Sequence, residues 1–220
     1  MNGNFEAFPA DLVQFLRELK QNNDRDWFNA NKERYETAFR QPAGQFASTV
    51  CDAVLEMTGT SHDAKVFRIH RDVRFSKDKT PYNTHLHVSF LPDGEMATKP
   101  AFFFGVDTEK ATVGAGCFGL EKAALDRFRE RVAGPEGEAL AAELDGMRPA
   151  GVRFPDPELK KVPAPYTADH PRAELLRRKS LSAWRDLGTP ETVTQPGLVA
   201  AITRGFEQVR PVYDFMIRNG

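Results

Sequence analysis

Three things are scarce in this 220-residue chain: cysteine, long apolar runs and an excess of either charge. Cys51 and Cys117 are the only cysteines, far apart and in no CxxC or Cys/His spacing, so neither a disulfide scaffold nor a zinc site is read. The longest apolar stretch, around Pro100 to Val106, falls far short of the roughly 18 residues of a membrane span. From Met1 to Leu12 no basic segment precedes an apolar one, so no leader is read. With 30 Lys+Arg against 31 Asp+Glu the net charge is −1, which disfavours coating of nucleic acid or an anionic membrane over a broad surface. Glycine is missing between Gly59 and Gly94, and with it any GxxxxGK[ST] phosphate loop there.

What is present is ordinary globular composition, 40% hydrophobic and 28% charged. The expectation is a cytoplasmic protein of one domain, residues 1–220, long enough for a substantial core. Its first part, 10–58, reads as helical. Leu12, Phe15, Leu16 and Leu19 share a helix face, Asn22 and Asn23 stop that helix, and Asp24 can cap the next. The second carries Trp27, Phe28, Tyr35 and Phe39. Pro42 opens a third, striped by Phe46, Val50, Val54 and Met57 and ended by Gly59.

Between residues 65 and 118 the period drops to two. Strands are expected at Val66–Phe75, Thr84–Phe90, Ala101–Asp107 and Ala111–Phe118, with turns at Pro92-Asp93-Gly94 and Thr108-Glu109-Lys110. Short connections imply a largely antiparallel sheet. Residues 120–220 read as helical again: Leu125, Phe128 and Val132 on one helix, and Leu140, Leu144 and Met147 on the next. Six prolines then lie between Arg148 and Pro171, a helix is expected from Pro171 through Leu176 and Trp184 to Leu187, and a last one runs from Leu198 to Ile217 with Pro211 inside it. Strands grouped apart from helices give an α+β class: a sheet of about four or more strands in mid-chain, packed against N- and C-terminal helices.

Chemistry points to one stretch. From Lys65 to Asn83 there are six Lys/Arg and two Asp, a local net charge of +4. Strand alternation would place Phe67, Ile69, Val73 and Phe75 toward the core, with Arg71 interrupting that face. It would place Arg68, His70, Asp72 and Arg74 on the other side. An antiparallel neighbour would bring His85 and His87 alongside, and the loop supplies Ser76, Lys77, Lys79 and Thr80. Guanidinium forks, ammonium groups and hydroxyls on one patch suit a phosphate or carboxylate. Arg68, His70, Arg74, Ser76, Lys77, Lys79 and Thr80 are therefore the candidate ligand-binding residues, with Asp72 and His85 as candidates for proton transfer; Asp78 is a further possible base.

Other readings of the same residues stay open. Arg and Asp on a sheet face often only pair and solvate it, or form a buried network. His85 and His87 form an HxH pair that could hold a metal with His70 or Asp72, but hydrogen bonding alone accounts for them as well, and no metal or cofactor is assigned. The glycines of Gly114-Ala115-Gly116-Cys117-Phe118-Gly119 lack the full GxGxxG and mark a bulge or close backbone packing; Cys117 reads as a small core residue before a nucleophile. Arg177-Arg178-Lys179 reads as a solvated helix face. The partner expected is an anionic small molecule. A binding module for nucleic acid or an acidic protein is the alternative, a membrane is not expected, and neither catalysis nor the oligomeric state is assigned.

Three segments carry a resemblance: Asn22-Asn23-Asp24-Arg25-Asp26-Trp27-Phe28, the block RIHRDVRFSKDKTPYNTHL from Arg68 to Leu86, and Ala168-Asp169-His170-Pro171 with Leu175, Leu176 and Lys179. In this order the chain resembles, from about Phe5 onward, the uncharacterised bacterial family labelled domain of unknown function 2461. The resemblance implies one complete domain with RDVRFSKDKTPY as its signature, and no activity to carry over. Asn83 stands where the family usually has lysine, His87 where it typically has glycine, and Pro163-Ala164-Pro165-Tyr166 where it tends toward Pro-Arg-Gly-Tyr. Cys117 and Phe118 also depart from its pattern.

Overall fold

The N-terminal helix forms because its apolar stripe has somewhere to go. Leu12, Phe15, Leu16 and Leu19 of α1 (Asp11–Gln21) are completely buried. The computed structural model describes residues 5–94, 96 and 98–218; the first four residues of the stretch read for a leader lie outside these. The chain clusters into two compact units. The first comprises Met1–Phe90, Phe103–Val113 and Asp186–Arg204, and the second Leu91–Phe102, Gly114–Arg185 and Gly205–Gly220.

In the first unit, Asp24 caps α2 (Arg25–Ala30) as its residue type predicts, accepting the Trp27 N–H at 2.9 Å. From Lys32 the helix is continuous to Thr58, which corrects the expectation that Pro42 starts a separate one. A short α3 (Lys32–Arg34) leads through a π-helical turn, Tyr35–Arg40, into α4 (Gln41–Thr58). Pro42 has no N–H for the carbonyl four residues back and its ring crowds that carbonyl. The widened turn just before it accommodates both demands without ending the helix. Gly59 ends it in the left-handed region, φ 72°, donating to the Leu55 carbonyl at 2.8 Å. Arg34 ties this long helix to α1, forking onto Asp11 at 2.6 and 2.7 Å and reaching Glu18. Phe46 lies between Phe8 and Phe104, ring centroids at 5.1 and 4.7 Å.

Five strands form one antiparallel sheet in sequence order: β1 (His62–Val66), β2 (Leu86–Pro92), β3 (Ala101–Val106), β4 (Ala111–Cys117) and β5 (Leu181–Gly188). Leu86, Val88 and Phe90 are buried as their alternation requires. Two of the expected elements are corrected. β1 ends at Val66, so the strand expected over Val66–Phe75 does not form. The helix expected over Pro171–Leu187 is helical only in α7 (Ala173–Leu176), and its second half is β5.

The reason for the second correction lies in the second unit. Gly114 and Gly116 of β4 let β5 approach so closely that a Cβ at Gly114 would lie 2.5 Å from the Trp184 ring. One at Gly116 would overlap the Leu181 carbonyl. The glycines thus serve close backbone packing. Long-range pairing overrides the helical spacing of Leu176, Trp184 and Leu187. Trp184 also exchanges both backbone hydrogen bonds with Arg153, at 2.9 Å each, which anchors part of the proline-rich segment. Around this lie α5 (Lys122–Ala133), α6 (Pro135–Met147) and α8 (Leu198–Ile217); Phe102 stacks on Tyr213 of α8 at 4.3 Å. Among the described residues no helix is long and apolar enough to cross a membrane.

Gly116 adopts φ 140°, where any side chain is strained, and its missing Cβ faces rigid backbone. Gly116→Ala is expected to cost about 2–4 kcal/mol, strain and overpacking together. Urea unfolding measures it, and a loss below about 0.5 kcal/mol would mean that β4 and β5 separate at no cost.

Candidate functional site

Beyond β1 the signature segment is a loop held at its base. Phe67 donates to the His87 carbonyl at 2.9 Å, after which the chain leaves the sheet. His70 and Tyr82 then form an isolated antiparallel bridge, with Arg71 N–H on the Pro81 carbonyl at 2.8 Å and Asn83 N–H on the Ile69 carbonyl at 2.7 Å. Ile69 and Tyr82 are buried at this closure. Phe67 is 44% exposed and Phe75 is 96% exposed. The expected core face of Phe67, Ile69, Val73 and Phe75 therefore does not exist, and neither does the aligned polar face opposite it.

Arg71, expected to interrupt an apolar face, is the hub of this loop. Its Nη1 donates to Asp78 at 2.6 Å, to the Thr80 carbonyl at 3.0 Å and to the Thr80 hydroxyl. Asp78 also accepts the Thr80 backbone N–H and hydroxyl, both at 2.9 Å. The Thr80 N–H foremost, then its hydroxyl and Arg71, hold the Asp78 carboxyl down at about 2. So weak a base is poorly matched to proton abstraction near neutral pH.

The α1–α2 junction clamps the same loop. Asn23 donates its amide N–H to the Tyr82 carbonyl at 2.9 Å and accepts the Tyr82 N–H at 3.0 Å. The Tyr82 ring stacks on Phe28 at 4.1 Å, and His70 sets its ring edgewise to both aromatics, 5.2 Å from Tyr82 and 5.6 Å from Phe28.

Beside the clamp is an open cleft of about 410 Å³. Lys20 and Asn23 line it from the end of α1, Arg71, Asp78 and Thr80 from the loop, and Tyr82 to His85 from the approach to β2. Of the residues proposed from sequence, Thr80, His85 and the further possible base Asp78 face this cleft. Arg68, His70, Asp72, Arg74, Ser76, Lys77 and Lys79 are not among its walls. Asp72 and Arg74 pair with each other in solvent, Arg74 Nε and Nη2 reaching the carboxylate at 2.9 and 2.6 Å. That fork holds the Asp72 carboxyl below its ordinary range. Lys79 donates to the Val73 carbonyl at 2.9 Å, Ser76 closes a turn onto the same carbonyl through its N–H, and Arg68 and Lys77 are exposed.

Lys20, Asn23, Arg71, Tyr82, Asn83 and Thr84 are the cleft residues that sequence pattern missed as site residues. Asn23 sat within a recognised segment. Arg71 carried a signal too, since a guanidinium at a core position argues against the strand itself.

His85 stacks on His87 at 3.8 Å with an interplanar angle of 22°. Room for the His87 ring comes from Gly105 of β3, where a Cβ would sit 2.9 Å from it. Burial lowers both imidazoles, His87 to about 4; at His85 the Asp107 charge opposes this, and the Arg71 charge offsets part of that opposition. His85 is therefore neutral at pH 7. Among the described residues no three His, Cys, Asp or Glu side chains gather as metal ligands. Cys117 is half-buried, and burial pushes its thiol up, so it is not a thiolate near neutrality.

The Asn22–Phe28 and Arg68–Leu86 segments thus meet at one clamp. The model of the family described as "Conserved hypothetical protein (DUF2461)" matches residues 11–215. The chain belongs to this family. No match was found among curated proteins. The DUF2461 description carries no activity, so function must be argued from the cleft.

His87 titrates near 6.5 when unfolded and near 4 when folded. Between these values the unfolded chain binds the proton and the native one does not, so stability falls as pH falls through that window. Because the ring is partly open to solvent, the effect is expected to be about 1 kcal/mol. Urea midpoints from pH 7.5 down to 4.5 should fall more steeply for wild type than for His87→Gln, and equal slopes would count against a partly desolvated, neutral His87.

Proposed function

We propose that the Arg71 cleft binds a small anionic molecule through a phosphate or carboxylate group. The observation that carries this reading is the half-used guanidinium of Arg71. Nη1 makes every hydrogen bond that fixes the side chain, and Nε and Nη2 make none among the described residues. A guanidinium anchored through one nitrogen keeps two more for a planar, bidentate ligand. Lys20, only loosely engaged by Thr108 at 3.1 Å and Glu109 at 3.5 Å, supplies a second positive charge to the same cleft. Asn83 and Thr84 offer neutral hydrogen-bonding groups, and the exposed Arg68, Lys77 and Lys79 raise the local positive potential. His85, with its neutral imidazole, is the group in the cleft suited to take a proton near pH 7.

One observation favours the alternative, docking of a nucleic acid or acidic partner by the loop. Phe75 stands in solvent beside Lys77 and Lys79, with the Arg74 guanidinium 5.9 Å from its ring. An exposed aromatic among cations is how single-stranded nucleic acids are held without sequence preference.

A thermal-shift screen of phosphorylated and carboxylated metabolites separates the two. At least one small anion is expected to stabilise wild type and to lose about tenfold in affinity, about 1.4 kcal/mol, in Lys20→Gln and in Arg71→Gln. Lys20→Gln is informative even where Arg71→Gln loosens the loop, because Lys20 is exposed. Hits whose affinity ignores both substitutions would sink the cleft reading. Salt-sensitive oligonucleotide binding that Phe75→Ala abolishes, with no small-molecule hit, would replace it.

A further inference from the structure

Arg178 belongs to the basic run Arg177-Arg178-Lys179 that reads as a solvated helix face, yet it is only 3% exposed. Its Nη1 donates to the Pro155 carbonyl at 2.6 Å and its Nη2 to Glu174 at 2.7 Å. Its Nε–H is buried and has no hydrogen-bond partner among the described residues. Buried polar groups are nearly always paired, more strictly so when charged. A leftover donor of this kind indicates something that the protein's own groups do not supply.

Arg178 lines a cavity of about 120 Å³ within the second unit, beside Arg148 and Arg172. One water needs about 30 Å³, so the space exceeds what a single solvent molecule would fill. Its charges are unbalanced. Three guanidiniums face two carboxylates, Asp145 and Glu174. Asp145 is mostly in solvent and meets Arg148 only at 3.5 Å. Arg172 is fixed by neutral groups, donating from Nε to the Val132 carbonyl and from Nη2 to the Ala133 carbonyl, both at 2.6 Å. Arg148 is held loosely over the Phe154 ring at 5.0 Å, with Glu174 3.9 Å away. Backbone carbonyls orient Arg172 without cancelling its charge, Arg178 is held by one carbonyl and the Glu174 carboxylate, and Arg148 meets its partners only at longer range.

We propose that this cavity is a binding site for a phosphoryl-type oxyanion. The anion would accept the orphaned Arg178 Nε–H and draw in Arg148, with Arg172 completing the positive wall. The site is lined by none of the Arg71 cleft residues, and it requires no activity of that cleft.

The test is a titration of the full-length protein with inorganic phosphate at pH 7.5, followed through arginine Nε–H resonances in nitrogen-15 NMR spectra. One protected Nε–H signal, assigned by its loss in Arg178→Lys, is expected to shift saturably. Arg148→Gln, at a half-exposed position, is expected to weaken the binding about tenfold, and Arg71→Gln to leave it unchanged. Phenyl phosphate run in parallel separates sources: a matching shift means that the phosphoryl end of a larger molecule is held, and a shift with inorganic phosphate alone means the free ion. Either upholds the site. Absence of a saturable shift with both probes overturns it, as does unchanged affinity in Arg148→Gln. Binding lost in Arg71→Gln but kept in Arg148→Gln also overturns it, and assigns the anion to the first cleft instead. Should Arg178→Lys fail to fold, the Arg148 and Arg71 variants still decide the outcome.

Discussion

A guanidinium cannot shed its proton, so wherever the chain turns inward at Arg71 its charge must be met on the spot. The loop that follows meets it. Asp78 and Thr80 converge on a single nitrogen of Arg71, and this closes the segment on itself. Closure lets Ile69 and Tyr82 go inside and leaves Phe75 at the solvent-facing end. Tyr82, once placed, offers its backbone to Asn23 and its ring to Phe28. The lining of the cleft follows from this chain of consequences, because most of its walls belong to Arg71, the groups that neutralise it, and the residues just after them.

The parts of the fold that sequence pattern exposes are those decided locally. In α1 and α8 the apolar residues recur at helical spacing and are buried, and in β3 and β4 a tight turn joins two runs of period two. The failures share a cause. Alternation from Phe67 to Phe75 is a strand signal, but a strand needs a neighbour, and the chain from Arg71 onward pairs with its own loop instead. The stretch up to Leu187 has helical spacing, but β4 presents glycines that only an extended partner can approach so closely. Neither outcome is encoded within a window of ten residues.

The candidate site was legible by region more than by residue. A local charge of +4 drew attention to the segment whose loop forms one wall of the cleft. Alternation then sorted its residues onto the wrong sides, assigning Arg71 to the core and Asp72 and Arg74 to a shared ligand face, to which the loop was to add Lys79. In the fold Asp72 and Arg74 spend their charges on each other, and Lys79 turns to a backbone carbonyl. Of the proposed residues, Thr80, His85 and the further possible base Asp78 line the cleft. Identifying which cations are spent requires knowing which acids they can reach, and that depends on loop closure.

The same distinction separates two kinds of arginine here. Arg74 is exposed and paired, so its charge is cancelled by Asp72 and damped by water. Arg71 and Arg178 are held by groups that fix their geometry first, and each retains donors beyond those its neighbours accept. Burial makes such a residual donor costly when empty and valuable when filled. A near-neutral total charge says nothing about this, since it weighs a solvated pair and an anchored guanidinium alike. What favours a compact anion over a polyelectrolyte is the fixed placement of a few unspent N–H groups, which a small oxyanion can satisfy and a diffuse field of surface charge cannot.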